Sequence, residues 1–168
     1  MEKHKTLMVM VGIPGAGKST WIQNHKFHLQ DFIIVSRDKI RFSMLKDGED
    51  YFSHENEVWE TFIAEIKKNL EEGGRVIVDA THINIASRTK LLKALGNTLK
   101  NTFIEAIVLD TSLQTCLEHN ELRKENLRAY VPKSQIRRMY ASFTIPELEE
   151  GFDEIYIYDE DGGITLRR

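Results

Sequence analysis

Short apolar runs alternate along this chain with segments in which apolar residues recur at helical spacing. The runs are rich in β-branched residues, as strands buried on both faces of a sheet are. The predicted strands cover residues 6–11, 32–36, 75–79, 103–109 and 154–158. Predicted helices cover residues 18–25, 39–45, 112–119, 134–143 and 146–150. Two longer predicted helices run from a cap at Ser53 to Gly73 and from a cap at Asn84 to Gly96. This alternation of strands and helices predicts a parallel sheet with right-handed crossovers. A turn predicted at 161–163 would reverse the chain after the fifth strand into an extended segment at 164–166.

Composition is typical of one globular domain with 168 residues, of which 41% are hydrophobic and 29% charged. The formal charge of −3 gives no overall positive field for nucleic acid, so a nucleic-acid groove would need a local basic patch. Candidates for that patch are Lys39, Arg41, Arg88 and Lys90. The lone Cys116 favours a reducing, cytoplasmic location, and the apolar run at 7–11 is too short for a signal peptide or a membrane span.

A glycine-rich motif follows the first predicted strand and opens the first predicted helix. Residues 12–20 are G-I-P-G-A-G-K-S-T, which contain the pattern G-x-x-x-x-G-K-S. Backbone N–H groups of such a loop surround a phosphate, and the helix that follows adds the positive end of its dipole. The predicted nucleotide-binding residues are Gly12, Pro14, Gly15, Ala16, Gly17, Lys18, Ser19 and Thr20. Lys18 would reach the β- and γ-phosphates of ATP, and the Ser19 hydroxyl would bind Mg²⁺.

Two aspartates stand where predicted strands end. Asp79 ends the third strand and suits the acid that supports Mg²⁺ beside a phosphate loop, in preference to an ordinary turn aspartate. Asp38 follows the second strand, and Arg41 lies one helical turn further on. Spacing alone fits two interpretations of this pair equally. In the first, Asp38 accepts the proton of an alcohol and Arg41 holds an acceptor phosphate; in the second, Asp38 caps its helix and Arg41 is solvated.

The chain resembles the kinase domain of the phage-type 5′-polynucleotide kinases, within the wider group of P-loop kinases. The matching segments recur in order along nearly the whole chain and include S-R-D-K-I-R (36–41) and D-A-T-H-I-N (79–84). The others are G-I-P-G-A-G-K-S-T-W (12–21), N-E-L-R (120–123) and V-P-K-S-Q-I-R-R-M-Y (131–140). Many ATPases share the first segment, whereas its combination with R-D-x-x-R and D-x-T-x-x-N is far more restrictive.

This resemblance implies a role for each matching residue. Asp38 would be the general base, and Arg41 would contact the phosphate next to the acceptor 5′-hydroxyl. Lys18 and Ser19 would bind the ATP phosphates and Mg²⁺, and Asp79 would support the metal.

The resemblance also implies a helical lid, at about residues 112–145, whose arginine closes on the transferring phosphate. Arg123 matches that arginine through N-x-x-R, but His119 stands where the phage-type enzymes carry a second arginine. The segment from Arg123 to residues 131–132 is also a few residues longer than in those enzymes. Arg128 could supply the missing charge at the nucleotide, or His119 could face elsewhere.

We therefore predict an α/β fold of the P-loop NTPase type, with a parallel sheet of about five strands between helices. Residues 1–168 would form a single kinase domain. The predicted activity is transfer of the γ-phosphate of ATP to the 5′-hydroxyl of RNA or DNA, with ATP and Mg²⁺ as cofactors. A small alcohol, such as a nucleoside, sugar or antibiotic, is the alternative acceptor. A nucleotide-hydrolysing switch is a third hypothesis, which the Asp38–Arg41 pair disfavours because a switch needs no base for an alcohol.

Overall fold

One mostly parallel sheet forms the centre of the computed structural model, which describes residues 5–124 and 130–168. Its strands are β1 (Lys5–Val11), β2 (Phe32–Ser36), β3 (Arg75–Asp79), β4 (Thr102–Asp110), β5 (Glu154–Asp159) and β6 (Ile164–Arg167). The spatial order is β2-β3-β1-β4-β5-β6. The first five strands are parallel to one another, and β6 pairs antiparallel with β5. The prediction of about five parallel strands between helices is thus confirmed.

The sixth strand exists because the chain reverses tightly after β5. The Asp159 carboxylate accepts hydrogen bonds from the backbone N–H groups of Asp161 and Gly163, at 2.9 and 2.7 Å. Such a bond from a side chain to nearby backbone is the usual way in which aspartate stabilises a turn. Tyr158 then faces Ile164 across the antiparallel ladder. The extended segment predicted at 164–166 is therefore an edge strand of the same sheet.

Six α-helices cover the sheet in the part of the chain that the structure describes. They are α1 (Lys18–Asn24), α2 (Arg37–Met44), α3 (Glu55–Glu71), α4 (Ile85–Leu95), α5 (Leu113–Glu121) and α6 (Lys133–Ser142). The predicted cap at Ser53 is wrong, since His54 occupies the N-cap position and makes no side-chain capping bond. The predicted cap at Asn84 is confirmed, because its side chain accepts a hydrogen bond from the Ser87 N–H. No helix in the described ranges has the length and apolar character needed to cross a membrane.

The sheet separates two layers of buried apolar side chains. Alternate residues of a strand point to opposite faces, and in β1 Leu7 and Val9 join one layer while Met8 and Met10 join the other. The layer with Leu7 includes residues of α3 and α4, and the layer with Met8 includes Trp21 of α1 and residues of α5 and α6. This double burial explains why β1 and β3 are continuously apolar. Because β1 to β5 run parallel, their carboxyl ends lie along one edge of the sheet.

Arg88 of α4 lies inside the fold, which contradicts its prediction as part of a basic nucleic-acid patch. Its side chain is fully buried, and its Nε donates a hydrogen bond to the Glu150 carboxylate at 2.7 Å. It also donates to the backbone carbonyls of His82 and Thr144, at 3.0 and 2.9 Å. Arg88 therefore ties α4 to the segment after α6. Of the other candidates, Lys39 and Lys90 are exposed, whereas Arg41 is buried.

Replacing Arg88 by methionine is expected to destabilise the fold by about 3–5 kcal/mol, because it leaves Glu150 as a buried charge without its partner. For a chain of this size the melting temperature should fall by roughly 6–20 °C. Thermal unfolding followed by circular dichroism measures the change. Lys93→Met on the exposed side of the same helix is the matched control and should unfold close to the wild-type temperature. Equal melting temperatures for the two variants would contradict the structural role of Arg88.

Candidate active site

A cleft of about 890 Å³ opens at the carboxyl ends of the parallel strands. Ligands in open α/β sheets bind at this edge, where the loops after the strands converge. The lining includes the predicted site residues Lys18, Ser19, Asp38, Arg41, Asp79 and Arg123. These residues follow three different strands or lie in the segment after α5, so the fold brings together groups that are far apart in the sequence.

The phosphate loop, residues 12–20, has a backbone shape that requires glycine at two positions. Gly15 and Gly17 have φ angles of 85° and 103°, in the left-handed region that side chains disfavour. A Cβ on Gly15 would lie 2.5 Å from the carbonyl oxygen of Cys116 in α5, so the loop also packs too closely for any side chain there. Pro14, Gly15, Gly17, Lys18 and Ser19 line the cleft.

The remaining predicted nucleotide-binding residues of the loop do not line the cleft. The Gly12 N–H donates to the carbonyl oxygen of Thr81 at 3.0 Å, which joins the loop to the end of β3. Ala16 is buried in the apolar layer, and Thr20 is exposed on α1. These three residues shape the loop or the helix behind it.

Two side chains from outside the loop bind its carbonyl groups. His119 of α5 donates from Nδ1 to the Gly15 carbonyl oxygen at 2.8 Å, and the Thr111 hydroxyl donates to the Ala16 carbonyl oxygen at 2.8 Å. The first N–H groups of α1 have no partner within their own helix. These two hydrogen bonds therefore turn the carbonyls toward α5 and the connection before it, and the N–H groups at the start of α1 remain for an anion.

Lys18 occupies the hollow of the loop. Its Nζ donates to the carbonyl oxygens of Gly12 and Ile13 at 2.8 and 3.1 Å. Burial lowers the pKa of Lys18 to about 8, although the negative charge of Asp79 acts in the opposite direction. A phosphate in the loop would add negative charge and favour the protonated lysine.

Asp79 and Ser19 supply oxygen atoms to the same cleft. Burial raises the pKa of the Asp79 carboxyl, and the positive charge of Lys18 partly offsets this rise. Mg²⁺ in nucleotide sites takes one or two protein oxygens and completes its shell with substrate phosphates and water. The Ser19 hydroxyl and the Asp79 carboxylate fit that donor set.

Asp38 does not cap its own helix and is instead oriented by Tyr51 and Arg41. Ser36, not Asp38, caps α2, since the Ser36 Oγ accepts a hydrogen bond from the Lys39 N–H at 3.3 Å. The Tyr51 hydroxyl donates to Asp38 Oδ1 at 2.7 Å, and Arg41 donates to the same oxygen. The Asp38 side chain is 60% exposed, so the carboxylate is oriented and still accessible from the cleft.

Arg41 is buried beneath Asp38, and the interpretation in which it is solvated is wrong. Its NH2 donates to both carboxylate oxygens of Glu55, at 3.0 and 2.9 Å, and its NH1 donates to the Tyr51 hydroxyl oxygen at 2.7 Å. Burial raises the pKa of the Glu55 carboxyl, but the hydrogen bonds and charges of Arg41 and Arg37 outweigh it and lower the pKa overall. Glu55 is therefore ionised and anchors Arg41.

Sequence reasoning missed Tyr51 and Glu55. Tyr51 falls in a polar stretch that predicts only a turn, and Glu55 falls at the start of the long helix, where an acid is ordinary. Burial and the negative charge of Asp38 raise the pKa of Tyr51, so its hydroxyl stays protonated and donates to Asp38. A weak signal was present, because Tyr51 and Phe52 are adjacent aromatic residues in a connection that is otherwise polar.

The structure describes residues 112–124 and 130–145 of the predicted lid. Arg123 lines the cleft and is half-buried, whereas Arg128 lies outside the described residues. The buried Asn120 side chain donates to the Val131 carbonyl oxygen at 2.6 Å and accepts from the Val131 N–H at 3.0 Å. These bonds hold the end of α5 against the residues before α6.

A family model described as an AAA domain matches residues 7–146, which is more than half of the chain. The chain belongs to the AAA domain family. The match covers the phosphate loop, Asp38 with the residues that bind it, and the ends of β3 and β4. Membership in this family of P-loop proteins fits the cleft at the ends of the parallel strands.

Two curated viral proteins are similar to this AAA domain. Both are named as polynucleotide kinases, which confirms the resemblance to that group. A protein of Autographa californica nuclear polyhedrosis virus, provisionally named as a bifunctional polynucleotide kinase/RNA ligase, is 26% identical over 99% of this chain and 26% of its own length. A protein of Acanthamoeba polyphaga mimivirus, provisionally named as a bifunctional polynucleotide phosphatase/kinase, is 24% identical over 91% of this chain and 33% of its own length. The chain thus spans about a quarter to a third of the length of these relatives.

A solved structure supports the same fold. A chain of the Pnkp1/Rnl/Hen1 RNA repair complex superimposes with a TM-score of 0.65 and 24% identity, over 83% of this AAA domain chain and 44% of its own length. At this identity the likeness concerns the fold alone. It confirms the predicted arrangement of a sheet between helices behind a phosphate loop.

Proposed function

We propose that this chain is an ATP-dependent kinase that transfers the γ-phosphate of ATP to the 5′-hydroxyl of RNA or DNA. The main support for the proposal is that the phosphate loop and the oriented Asp38 carboxylate line the same cleft. The Asp38 carboxylate is oriented by Tyr51 and Arg41 and exposed to the cleft, which suits a general base for an acceptor hydroxyl. The names of the two viral relatives support a polynucleotide as the acceptor.

On the nucleotide side, the phosphate loop would bind the β- and γ-phosphates of ATP. Lys18 would leave its carbonyl partners for the phosphate oxygens, and Ser19 and Asp79 would hold Mg²⁺ directly or through water. Mg²⁺ and Lys18 would neutralise charge that moves to the leaving oxygen. Arg123, in the segment after α5, would contact the transferring phosphoryl group, and we assign Arg128 to the same nucleotide contacts.

On the acceptor side, Asp38 would accept the proton of the 5′-hydroxyl. The hydroxyl oxygen forms a bond to the γ-phosphorus while the bond between that phosphorus and the β,γ-bridging oxygen breaks, and ADP leaves. Positioning contributes much of the rate of such a transfer, because little covalent chemistry falls to the protein. The hydrogen bonds from Tyr51 and Arg41 to Asp38 Oδ1 would fix the carboxylate for this step.

We further propose that residues 1–168 act as one kinase domain with a lid at about residues 112–145. The hydrogen bonds between Asn120 and Val131 support this idea, because they hold the end of α5 and the residues before α6 together beside the cleft that Arg123 lines. Closure of such a lid over ATP would exclude water and favour transfer to the alcohol.

Incubation with γ-labelled ATP and Mg²⁺ tests the activity, using 5′-hydroxyl RNA, 5′-hydroxyl DNA, nucleosides, and no acceptor. We expect label on the oligonucleotides. Label on a nucleoside or another small alcohol alone would support the alternative acceptor class. Free phosphate in equal amount with and without acceptor would support a hydrolytic switch and contradict the proposal.

Replacing Tyr51 by phenylalanine is expected to lower kcat about 10- to 150-fold, which corresponds to the loss of one hydrogen bond to a charged group. The KM for ATP should stay unchanged, because Tyr51 contacts Asp38 and Arg41 and not the phosphate loop. Steady-state kinetics with a 5′-hydroxyl oligonucleotide measures both constants. Tyr140→Phe, at an exposed position of α6, is the control. A Tyr51→Phe enzyme with wild-type kcat would show that the hydroxyl does not position the base.

A further inference from the structure

A second cavity lies on the face of the sheet that α1 covers, toward the C-terminal end of that helix. Its volume is about 200 Å³, and it is open to the surface. Side chains of β1, β4 and β5 line one side, and α1 with the residues that follow it lines the other. In the described part of the chain it shares no lining residue with the cleft, so the proposed kinase activity gives it no role.

Aromatic rings form two walls of the second cavity. Trp21 and His25 stack with 4.1 Å between their ring centroids, and His25 Nδ1 donates to the Trp21 carbonyl oxygen at 2.7 Å. The Tyr158 ring is inclined at 71° to the Trp21 ring and at 76° to the His25 ring, with centroids 5.8 and 6.3 Å away. The two walls thus meet at a steep angle. Aromatic rings placed around a small space in this way attract organic cations through their negative faces.

Glu105 of β4 gives the second cavity a negative charge. It lines the cavity and is half-buried, and its carboxylate makes no hydrogen bond or ion pair with another described residue. Burial raises the pKa of the Glu105 carboxyl, and the charge of Glu154 raises it further, whereas the charge of Arg75 acts in the opposite direction. A cation bound beside Glu105 would offset both unfavourable effects on the ionised carboxylate.

A second carboxylate lies next to Glu105 on the neighbouring strand. Glu154 of β5 is the register partner of Glu105, so the two side chains point to the same face of the sheet. The Tyr156 hydroxyl donates to Glu154 Oε2 at 2.7 Å, and Nε of the exposed Arg168 lies 3.8 Å from Glu154 Oε1. A guanidinium of the chain itself thus lies beside one of the two carboxylates, and Glu105 is the one open to a ligand.

We propose that the second cavity binds a guanidinium group, with Glu105 as its carboxylate partner between the two aromatic walls. A guanidinium is planar, stacks on aromatic rings and donates two parallel hydrogen bonds to a carboxylate. The volume suits the end of an arginine side chain from another protein or a small free guanidine compound. The proposal is independent of the kinase activity, because binding at this cavity involves none of the residues that line the cleft.

Calorimetric titration of the full chain with ethylguanidinium tests the proposal, at about pH 8, where histidine side chains such as His25 are ordinarily neutral. We expect saturable binding with a Kd of about 1–10 mM, the range of a small ligand held by one ion pair and ring contacts. N-ethylurea, which has a similar shape and no charge, should not bind. The chain has two tryptophans, so in a Trp59→Phe variant the fluorescence of Trp21 should change over the same concentration range.

Substitutions locate the bound cation. Glu105→Gln should weaken the binding of ethylguanidinium by at least about 10-fold, because the charged acceptor is lost. Tyr158→Leu should weaken it by about 3- to 30-fold, because one aromatic wall is lost. Glu65→Gln removes a charge from an exposed position of α3, on the opposite face of the sheet, and should bind as wild type does. Melting temperatures check that each variant is folded, and Glu105→Gln should be at least as stable as wild type because it removes an unpaired charge.

A short peptide with one arginine and blocked ends distinguishes the two sources of the guanidinium. Binding at least as tight as that of ethylguanidinium would indicate an arginine of another protein, and weaker binding would indicate a small free compound. Absence of saturable binding, or equal affinity in wild type and Glu105→Gln, would overturn the proposal. Affinity that falls in Asp38→Asn and not in Glu105→Gln would place the cation in the cleft and overturn it as well.

Discussion

Replacing Lys18 by alanine is expected to abolish phosphoryl transfer to every acceptor, with a fall in kcat/KM of at least about a thousandfold. Lys18 is the cation inside the phosphate loop, where it is bonded to the carbonyls of Gly12 and Ile13. Its charge would stabilise the γ-phosphoryl group and the leaving oxygen during transfer, and alanine provides no substitute. Transfer of label from γ-labelled ATP to an oligonucleotide and to a nucleoside measures the effect.

Lys26→Ala is the control for Lys18→Ala, since Lys26 is an exposed lysine just beyond α1. It should leave transfer unchanged. Circular dichroism should give similar folded spectra for both variants. Activity retained by Lys18→Ala with any acceptor would overturn the assignment of the phosphate loop as the ATP site.

The Asp38→Asn substitution is expected to reduce kcat by about 10²- to 10⁴-fold, the range that a general base contributes. Asparagine keeps the size of the side chain and an oxygen that accepts from Tyr51 and Arg41. It cannot take the proton of the attacking hydroxyl. ATP affinity should be close to that of wild type, because Asp38 follows β2 and lies outside the phosphate loop.

Single-turnover transfer and equilibrium binding of a labelled nucleotide separate the two quantities for Asp38→Asn. Asp31→Asn, an exposed aspartate before β2, provides the matched control and should keep the wild-type rate. If ATP binding is lost in proportion to transfer, Asp38 supports the nucleotide site and is not the base.

The sheet and the phosphate loop could be predicted because both are written in local patterns. Continuous apolar runs predicted the strands, and both layers of the core now account for them. The loop motif predicted a phosphate-binding turn, and Gly15 and Gly17 have the positive φ angles that glycine can adopt in such a turn. Because ligands bind at the carboxyl ends of parallel strands, the positions of Asp38 and Asp79 at the ends of strands predicted that they lie near the loop.

The rest of the site depends on contacts that no local pattern carries. Arg41 binds Glu55 at a separation of 14 residues, Arg88 binds Glu150 at 62, and His119 binds Gly15 at 104. Helical periodicity relates only residues three or four apart. Arg88 therefore resembled a surface cation although burial and its ion pair make it part of the core.

Arg41 illustrates the same limit on the acceptor side. Its spacing from Asp38 suggested that both face the acceptor, and the resemblance to polynucleotide kinases implied a phosphate contact. Glu55 and Tyr51 come from α3 and from the connection before it, and they enclose the guanidinium from the other side. The resulting burial withdraws the Arg41 guanidinium from solvent, which its spacing from Asp38 does not predict.

The most direct test of the central claim is the position of the label after reaction of a 5′-hydroxyl RNA with γ-labelled ATP and Mg²⁺. Complete nuclease digestion of the product to nucleoside monophosphates, followed by chromatography, identifies the labelled oxygen. The proposed mechanism predicts that the label is recovered as the 5′-monophosphate of the first nucleoside. Label released only as free phosphate, in the same amount with and without RNA, would contradict it.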